Sequence, residues 1–383
     1  MSNRTDEFFS RLRADQALPH GRKWAEQQGA IGAGIAESDF GTATFIKERL
    51  ARAVQEDLLS YLPDNLAELA SEACSELYRT RFGWTFPTSW VRATPDVLSA
   101  LHIALEIFPQ HTPVIIPSPW YSPFPGVCES MNREVVSVPM PNGFDLELLA
   151  DSLRVPGSIV LLCNPHNPTG EVLDRETLTQ LAELAERHDA YLFVDEIHAP
   201  LVYAGSTHIP FASISPEAAQ RSITAISPSK GWNLPGLKAA HAIIPNDQLR
   251  GHWDRLDRHP VRSGSPLGAI GIASAYSDEG LAWLDELILR FDSNRKLLTA
   301  QLNESLPLAQ YREPQATYLA WINFADYELD VSPAEFLLQR AGVATVPGGA
   351  CGTQFAHHIR FNFATSPENI ERAIAGAAAA LTR

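Results

Sequence analysis

Side chains capable of acid–base and covalent chemistry follow several apolar stretches of this sequence. Asp195 ends the run Tyr-Leu-Phe-Val-Asp, and Lys230 follows soon after the run Ser-Ile-Thr-Ala-Ile. Asn167 lies in a Pro- and Gly-rich stretch, and Tyr121 follows Pro-Trp. A lysine amine can bond to a carbonyl carbon and can accept a proton, and a carboxylate can hold a positive charge beside it. Taken singly, such residues are more often surface charges, turn formers or core aromatics, so their chemistry depends on whether the fold gathers them.

Apolar strands alternate with helical stretches through the middle of the chain. The helix predicted after residue 170 carries Leu178, Leu181 and Leu184 on one face. Alternation of this kind predicts βαβ units and an α/β fold with a mostly parallel, doubly wound sheet. The carboxyl ends of parallel strands meet at one edge of the sheet, so we expect the side chains above to lie together there. The predicted strands span residues 112–117, 134–138, 158–163, 191–195, 222–227 and 241–245.

The sequence predicts three segments of different character. Residues 48–285 carry the strand–helix alternation and form the predicted large domain. Residues 286–383 form a predicted smaller α+β domain. A long helix predicted over 283–302 links it to the large domain, and it closes with a helix that begins at Ser366 and Pro367. Residues 1–47 form an N-terminal segment that we expect to pack with the small domain.

Composition excludes several classes of protein. The chain has 383 residues and a formal net charge of −15, which argues against nucleic-acid or anionic-membrane binding. The N-terminus lacks an apolar signal segment, and no apolar run is long enough to span a membrane. The four cysteines form no CxxC pair, and the pair His357-His358 lacks further ligands at metal-site spacing, so no metal is expected. Scattered cysteines in a chain of this size indicate a reduced, cytoplasmic protein.

Four separated motifs resemble those of the fold-type-I enzymes that use pyridoxal 5′-phosphate (PLP). They are Asn-Pro-His-Asn-Pro-Thr-Gly at 164–170, Asp-Glu-Ile-His at 195–198, Ser-Pro-Ser-Lys at 227–230, and Arg360. They occur in the family's order over nearly the whole chain. Asp-Glu-Ile-His, together with the stretches 316–321 and 346–348, is similar to the cystathionine β-lyase (C–S β-lyase) branch of the class I/II aminotransferase family. The resemblance implies the aminotransferase-like fold and PLP as cofactor.

The resemblance assigns the reacting groups. It makes Lys230 the lysine that forms a Schiff base with PLP and then takes the substrate's Cα proton. It places the Asp195 carboxylate against the pyridine nitrogen, where the opposite charge favours a protonated ring. Arg360 becomes a bidentate clamp on the substrate α-carboxylate. These roles make Lys230 and Asp195 the predicted catalytic residues.

Further cofactor contacts follow from the same resemblance. Asn167 is expected to hydrogen-bond the ring hydroxyl oxygen and, with substrate present, the substrate carboxylate. Tyr121 is expected to stack on the ring, and Trp120 is the alternative for that position. His198 stands where transaminases usually carry a tyrosine that bonds the ring oxygen.

A predicted helix start forms the expected phosphate site. Thr94 and Pro95 fit an N-cap followed by a first-turn proline, and a helix N-terminus attracts anions. By resemblance, the phosphate lies on the backbone of Pro95, Asp96 and Val97, with the Asp96 carboxylate pointing away. The alternative is that Asp96 merely caps its helix.

Other groups are expected to complete the phosphate site. Ser227 and Ser229 supply hydroxyls, and Lys238 supplies a positive charge where many relatives carry arginine. Tyr61 is expected to reach the phosphate of a partner subunit across a homodimer interface.

The reaction implied is β-elimination from a small sulfur amino acid. L-Cystathionine or a related cysteine S-conjugate yields a thiol such as homocysteine, with pyruvate and ammonia, as in methionine biosynthesis. Two alternatives stay open: a class I/II aminotransferase, which shares every cofactor contact, and a PLP-binding regulatory protein that acts through a partner. His198 and the stretch 316–321 favour the lyase. Residues 34–40 match the lyase branch's motif Trp-x-Ala-Asp-Met-Asp-Phe only in part, so the exact substrate stays open.

Overall fold

A seven-stranded sheet forms the centre of the computed structural model, which describes residues 21–25, 29–256 and 264–382. Its strand order is β2-β8-β7-β6-β5-β3-β4. Neighbours from β7 to β4 pair in parallel, while β8 runs antiparallel to both β7 and β2. The strands of this sheet are β2 (Val91–Thr94), β3 (Val114–Ser118), β4 (Val135–Pro139), β5 (Ile159–Cys163), β6 (Tyr191–Asp195), β7 (Ser222–Ile226) and β8 (Ala240–Ile243).

Helices cover the sheet on both faces. The α-helices of the described chain are α1 (Arg22–Ala25), α2 (Thr44–Gln55), α3 (Asp64–Phe82), α4 (Val97–Ile107), α5 (Phe124–Ser130), α6 (Leu146–Ser152), α7 (Arg175–Arg187), α8 (Pro216–Gln220), α9 (Asp247–Leu256), α10 (Pro266–Ala275), α11 (Asp278–Ser305), α12 (Pro333–Phe336) and α13 (Pro367–Leu381). Leu161 and Phe193 pack in an apolar cluster with α4. Their chain neighbours Leu162 and Val194 point the other way, into a cluster with α7. Successive strand residues thus bury opposite faces, which explains why these strands are apolar throughout.

A second, smaller unit packs beside the large sheet. A four-stranded antiparallel sheet has the order β12-β13-β10-β9, and α11 and α13 pack against each other. The N-terminal strand pairs in parallel with β11, so residues 31–32 join a segment more than three hundred residues later. The strands are β1 (Ile31–Gly32), β9 (Gln310–Tyr311), β10 (Leu319–Asn323), β11 (Val343–Ala344), β12 (Val346–Pro347) and β13 (His358–Asn362).

The predicted fold class is confirmed: the protein is α/β with a mostly parallel sheet. Strand β6 has the predicted bounds, and the other predicted strands shift by one or two residues. The sequence did not reveal β2, which is short and only partly buried. The predicted division at residue 285 falls inside α11, a continuous helix shared by both units. Residues 1–20 of the predicted N-terminal segment lie outside the described chain.

The predicted start of α4 is wrong. The helix begins at Val97, and its N-cap is Asp96 rather than Thr94. Asp96 has an extended backbone, with φ −161° and ψ 174°, which lets its carboxylate fold back onto the first turn. Aspartate ranks above threonine as an N-cap, so the later of the two candidate residues caps the helix.

Candidate functional site

The carboxylate of Asp195 lies at the carboxyl end of the central strand β6. Asp195 is buried and pairs with Ala225 of β7, so the loop that carries Lys230 leaves the sheet beside it. Its Oδ1 accepts a hydrogen bond from the Ile197 amide at 3.0 Å. Burial raises the pKa of Asp195 to about 7, against the opposing effects of this hydrogen bond and of Lys230. The protein therefore holds a carboxyl group that gains strongly from a cationic partner.

The amine of Lys230 is held by a backbone carbonyl. Its Nζ donates to the Ala36 oxygen at 2.9 Å, and the Tyr318 hydroxyl donates to the same oxygen at 3.0 Å. Burial and the nearby Arg360 charge lower the pKa of Lys230 to about 8, although Glu37 and Asp195 act in the opposite direction. An amine with this pKa is deprotonated in an appreciable fraction near neutral pH, which makes it available as a nucleophile and as a base.

The segment 34–38 lines the site and is held by side chains from distant parts of the chain. Asn362 Nδ2 donates to the carbonyls of Ile35 and Glu37, at 2.6 and 2.8 Å. Asn233 bonds both the amide and the carbonyl of Ser38. This is the stretch that departs from the lyase-branch motif. Its backbone is nonetheless fixed against the loop that carries Lys230.

Sequence reasoning missed three of the residues that build this wall: Asn233, Tyr318 and Asn362. A signal existed for Asn362, because it stands two residues after Arg360 on the same strand and therefore on the same face. Tyr318 lies within the lyase-like stretch 316–321, although no role was assigned to it. Asn233 gave no signal beyond its closeness to Lys230.

Arg360 projects from β13 into the same region. It is buried, its Nη1 donates to Asn167 Oδ1 at 3.0 Å, and its Nη2 donates to the Gly34 carbonyl at 3.0 Å. Its Nε is buried without a hydrogen-bond partner, and none of the described carboxylates forms an ion pair with it. A buried guanidinium without a counter-ion is costly unless a ligand supplies the negative charge. The structure therefore brings together the two residues predicted to bind the substrate carboxylate.

Two aromatic rings, those of Tyr121 and His198, lie near these charged groups. Tyr121 is close enough to Asp195 and Arg360 to feel both charges, and burial raises its pKa to about 12. The alternative ring, Trp120, is tied elsewhere: its Nε1 donates to the Ala350 carbonyl. His198 is buried, and both of its ring nitrogens lack partners among the described residues. Burial and the charges of Lys230 and Arg360 hold the pKa of His198 well below its ordinary value, so the ring is neutral.

The start of α4, which is the predicted phosphate site, differs from the expected geometry. The Asp96 carboxylate does not point away: Oδ1 accepts from the Ser99 amide and hydroxyl, each at 2.7 Å, and Oδ2 contacts Lys238 Nζ at 2.5 Å. Asp96 therefore caps α4, which was the alternative prediction for this residue. Ser227 donates to the Ala239 carbonyl at 2.6 Å, and its oxygen is 3.0 Å from that of Ser229.

Of the predicted groups, Tyr61 stands apart from this cluster. The Tyr61 side chain is 92 % exposed, in the connection between α2 and α3. Cys163 is buried, and burial raises the pKa of its thiol well above the ordinary value, as for an inert core cysteine. In the described part of the chain there is no group of side chains arranged to hold a metal ion. No helix in that part is long and apolar enough to cross a membrane.

The donor set around Lys230 fits the chemistry of PLP. An aldehyde needs an amine such as Lys230, and a pyridine nitrogen needs an acid or anion such as Asp195. The unpartnered polar atoms of His198 and Arg360 point to a polar ligand, because buried polar groups are otherwise hydrogen-bonded. The phosphate end fits less simply, since a carboxylate already occupies the start of α4.

Comparison with known proteins agrees with this fold. The family model for aminotransferase class I and II matches residues 31–376. The chain is similar to a cystathionine β-lyase of Corynebacterium glutamicum, at 36% identity over 89% of this chain and 90% of the relative. It is also similar to the cystathionine β-lyase PatB of Bacillus subtilis, at 31% identity over 91% and 92%. This chain belongs to the class I and II aminotransferase family.

A solved structure gives the same placement. The PLP-bound C–S lyase of Staphylococcus hominis superposes with a TM-score of 0.89 at 27% identity, covering 96% of this chain and 98% of that one. The predicted family and its lyase branch are confirmed.

Proposed function

We propose that this chain is a PLP-dependent C–S β-lyase that cleaves L-cystathionine or a related cysteine S-conjugate. The products are a thiol, pyruvate and ammonia. The observation that carries the choice of reaction is the 36% and 31% identity to two cystathionine β-lyases over about nine-tenths of each chain. The buried group of Lys230, Asp195 and Arg360 supports it, because β-elimination from an amino acid needs an amine, an anion and a carboxylate clamp.

When bound, PLP supplies an aldehyde and a ring that accepts the electron pair left at Cα. Lys230 and Asp195 are the residues that hold it, the first covalently through Nζ and the second at the ring nitrogen. Asp195 gains from a cation at that position because its own burial is unfavourable. Tyr121 would stack on the ring, and Asn167 would hydrogen-bond its hydroxyl oxygen.

The remaining steps belong to Lys230 and Arg360. Arg360 binds the substrate carboxylate, and Asn167 orients the guanidinium through Nη1. The freed Lys230 amine takes the Cα proton, and its lowered pKa keeps an appreciable fraction of that amine unprotonated. The Cβ–S bond then breaks as a Cα–Cβ double bond forms, and the sulfur leaves as a thiolate. A thiolate is a good leaving group, so no acid at sulfur is required. The released enamine is hydrolysed by one water molecule to pyruvate and ammonia.

Release of pyruvate without an acceptor separates the lyase from the aminotransferase. The purified protein is given L-cystathionine, and pyruvate is followed with lactate dehydrogenase, with and without 2-oxoglutarate. We expect equal pyruvate and ammonia in both cases. Turnover that requires the acceptor and yields no ammonia would identify an aminotransferase, and binding of PLP without turnover in either mixture would favour a regulator.

A matched pair of variants ties that activity to the site. Lys230→Ala should abolish pyruvate release. Lys296→Ala should leave it intact, because Lys296 is 65 % exposed and pairs with Asp292 on the outside of α11. Equal activity in the two variants would contradict the assignment of Lys230.

The homodimer and the cytoplasmic location are further parts of this proposal. Tyr61, Leu59 and Val54 are large apolar side chains exposed at 92, 63 and 46 % in one short segment, which suits a surface that a second copy covers. The four cysteines are buried free thiols, as in a reducing compartment. Sedimentation should give a dimer, and Tyr61→Phe should weaken PLP retention without dissociating it. A fully active monomer would contradict this part of the proposal.

A further inference from the structure

The start of α4 lies at the same edge of the sheet as Lys230. Strand β2 leads directly into α4, and it runs in the same direction as β7, because β8 lies antiparallel between them. Both strands therefore end at the edge where the site lies. The Asp96 charge acts on Tyr121, as does that of Asp195, which places both carboxylates near one ring.

The Asp96 carboxylate bonds three polar groups at this helix start, two of them on Ser99 and the third the Lys238 amine. Oδ1 accepts two hydrogen bonds from Ser99, and Oδ2 pairs with Lys238. These bonds outweigh the effect of burial and lower the pKa of Asp96, so the group is an anion at neutral pH. One amide of this helix N-terminus, that of Ser99, is thus already engaged by an anion from the chain itself, and that anion also lies in the positive potential of the helix start.

A phosphate at this helix start would draw on the same positive potential and on the same Lys238 amine. A phosphate monoester near neutral pH carries a charge close to −2, and it binds helix amides and cations as a carboxylate does. Lys238 is 66 % exposed, and its charge is partly cancelled by Asp96. Two anions beside one helix start repel each other, and the chain supplies one of them.

We propose that Asp96 is an internal competitor for the phosphate of PLP. Its carboxylate caps α4 through Ser99 and pairs with the Lys238 amine, so the cofactor's phosphate must compete with it for that amine and for the positive potential of the helix start. Asp96 therefore weakens the affinity for PLP, and in the apoprotein it caps α4. The proposal rests on the proposed function only in taking PLP as the cofactor.

Titration of the full-length apoprotein with PLP tests this directly. Asp96→Ser keeps a capping hydroxyl and removes the charge. We expect its Kd for PLP, read from the cofactor's absorbance, to fall about tenfold or more. Pyridoxal, which lacks the phosphate, should bind the variant and the wild type equally. Inorganic phosphate should likewise protect the variant against thermal unfolding at about tenfold lower concentration than it protects the wild type.

A second aspartate serves as a matched control. Asp174 caps α7 in the same way, since its carboxylate accepts from the Thr177 amide at 2.8 Å, and it is exposed. Asp174→Ser should leave the Kd for PLP within twofold of wild type. Lys238→Gln should raise that Kd, and restoring the affinity by adding Asp96→Ser would support direct competition between carboxylate and phosphate.

Several results would overturn the proposal. Equal or weaker PLP binding by Asp96→Ser would do so, and so would an equal gain for pyridoxal. Asp96→Asn keeps the shape and removes the charge, so it gives the same decision if Asp96→Ser does not fold. Failure of the proposed lyase activity is recognised separately, as tight PLP binding without pyruvate release.

Discussion

Two lysines at the same edge of the large sheet, Lys230 and Lys238, stand in opposite environments. Lys230 donates to a backbone carbonyl in a buried cluster, and burial lowers its pKa to about 8. Lys238 is 66 % exposed and pairs with the Asp96 carboxylate. Desolvation turns the first into a nucleophile and a base, whereas the second supplies only a charge that salt and a neighbouring anion can cancel. The same residue type thus serves covalent chemistry at one end of the site and electrostatics at the other.

Loss of Lys230, at the buried end of the site, should have the largest effect on turnover. Lys230→Ala removes both the covalent attachment and the base for the Cα proton. We expect turnover to fall by at least about 10³-fold, since a general base alone contributes on the order of 10²–10⁴. Pyruvate release measures the effect. An intact rate in Lys230→Ala, with PLP bound, would mean that another amine performs the step.

Loss of the buried carboxylate should have the next largest effect. Asp195→Ala removes the anion that favours a protonated ring, and a partner of this kind is worth roughly 1–3 pKa units. We expect turnover to drop about 10- to 1000-fold while PLP stays attached to Lys230. Visible absorbance reports the attachment, and pyruvate reports the turnover. Near-normal turnover would remove Asp195 from its proposed role.

The guanidinium should affect binding of the substrate more than chemistry. Arg360→Lys keeps a charge but loses the bidentate geometry, and a hydrogen bond to a charged group contributes about 1.5–3 kcal/mol. We expect kcat/KM for L-cystathionine to fall about 10- to 100-fold, chiefly through KM. A change confined to kcat would place Arg360 on the reacting atoms instead.

The buried carboxylate of Asp195 should also make the stability of the protein depend on pH. Asp195 titrates near 7 in the folded protein, above the ordinary aspartate value of 3.8, so the native state holds its proton more tightly. The apoprotein therefore loses stability as pH rises from about 4 to about 7. Asp195→Asn should lack that loss, and above pH 7 its free energy of unfolding should exceed wild type by about 1–4 kcal/mol. Urea unfolding at pH 5 and pH 8 tests this. A difference that does not grow with pH would contradict the raised pKa.

The exposed end should affect stability least. Lys238→Gln breaks an ion pair that is 66 and 36 % exposed, and such pairs contribute about 0–1 kcal/mol. We expect the free energy of unfolding to change by less than about 1 kcal/mol in the same experiment. A larger loss would mean that the pair of Asp96 and Lys238 stabilises the fold, rather than leaving Lys238 available to an anionic ligand.

Local pattern was sufficient to predict that Asp195, Asn167 and Lys230 lie at one edge of the sheet. Asp195, Asn167 and Lys230 follow apolar strands, and the geometry of a parallel sheet brings the ends of such strands together. The start of α4 was mispredicted because Thr94-Pro95 and Asp96 both satisfy the rules for a helix start, and only the backbone conformation decides between them. The hydrogen bond from Asn362 to the carbonyl of residue 35 joins positions 327 residues apart. No local sequence pattern can predict a contact over that separation.

Lys230, and not Lys238, should be the lysine that binds the cofactor covalently. Borohydride reduction of the yellow holoprotein, followed by proteolysis and mass spectrometry, reports which lysine carries the reduced cofactor. We expect the label on Lys230 alone, because burial keeps a fraction of that amine unprotonated. A label on Lys238, or one spread over exposed lysines, would contradict the account.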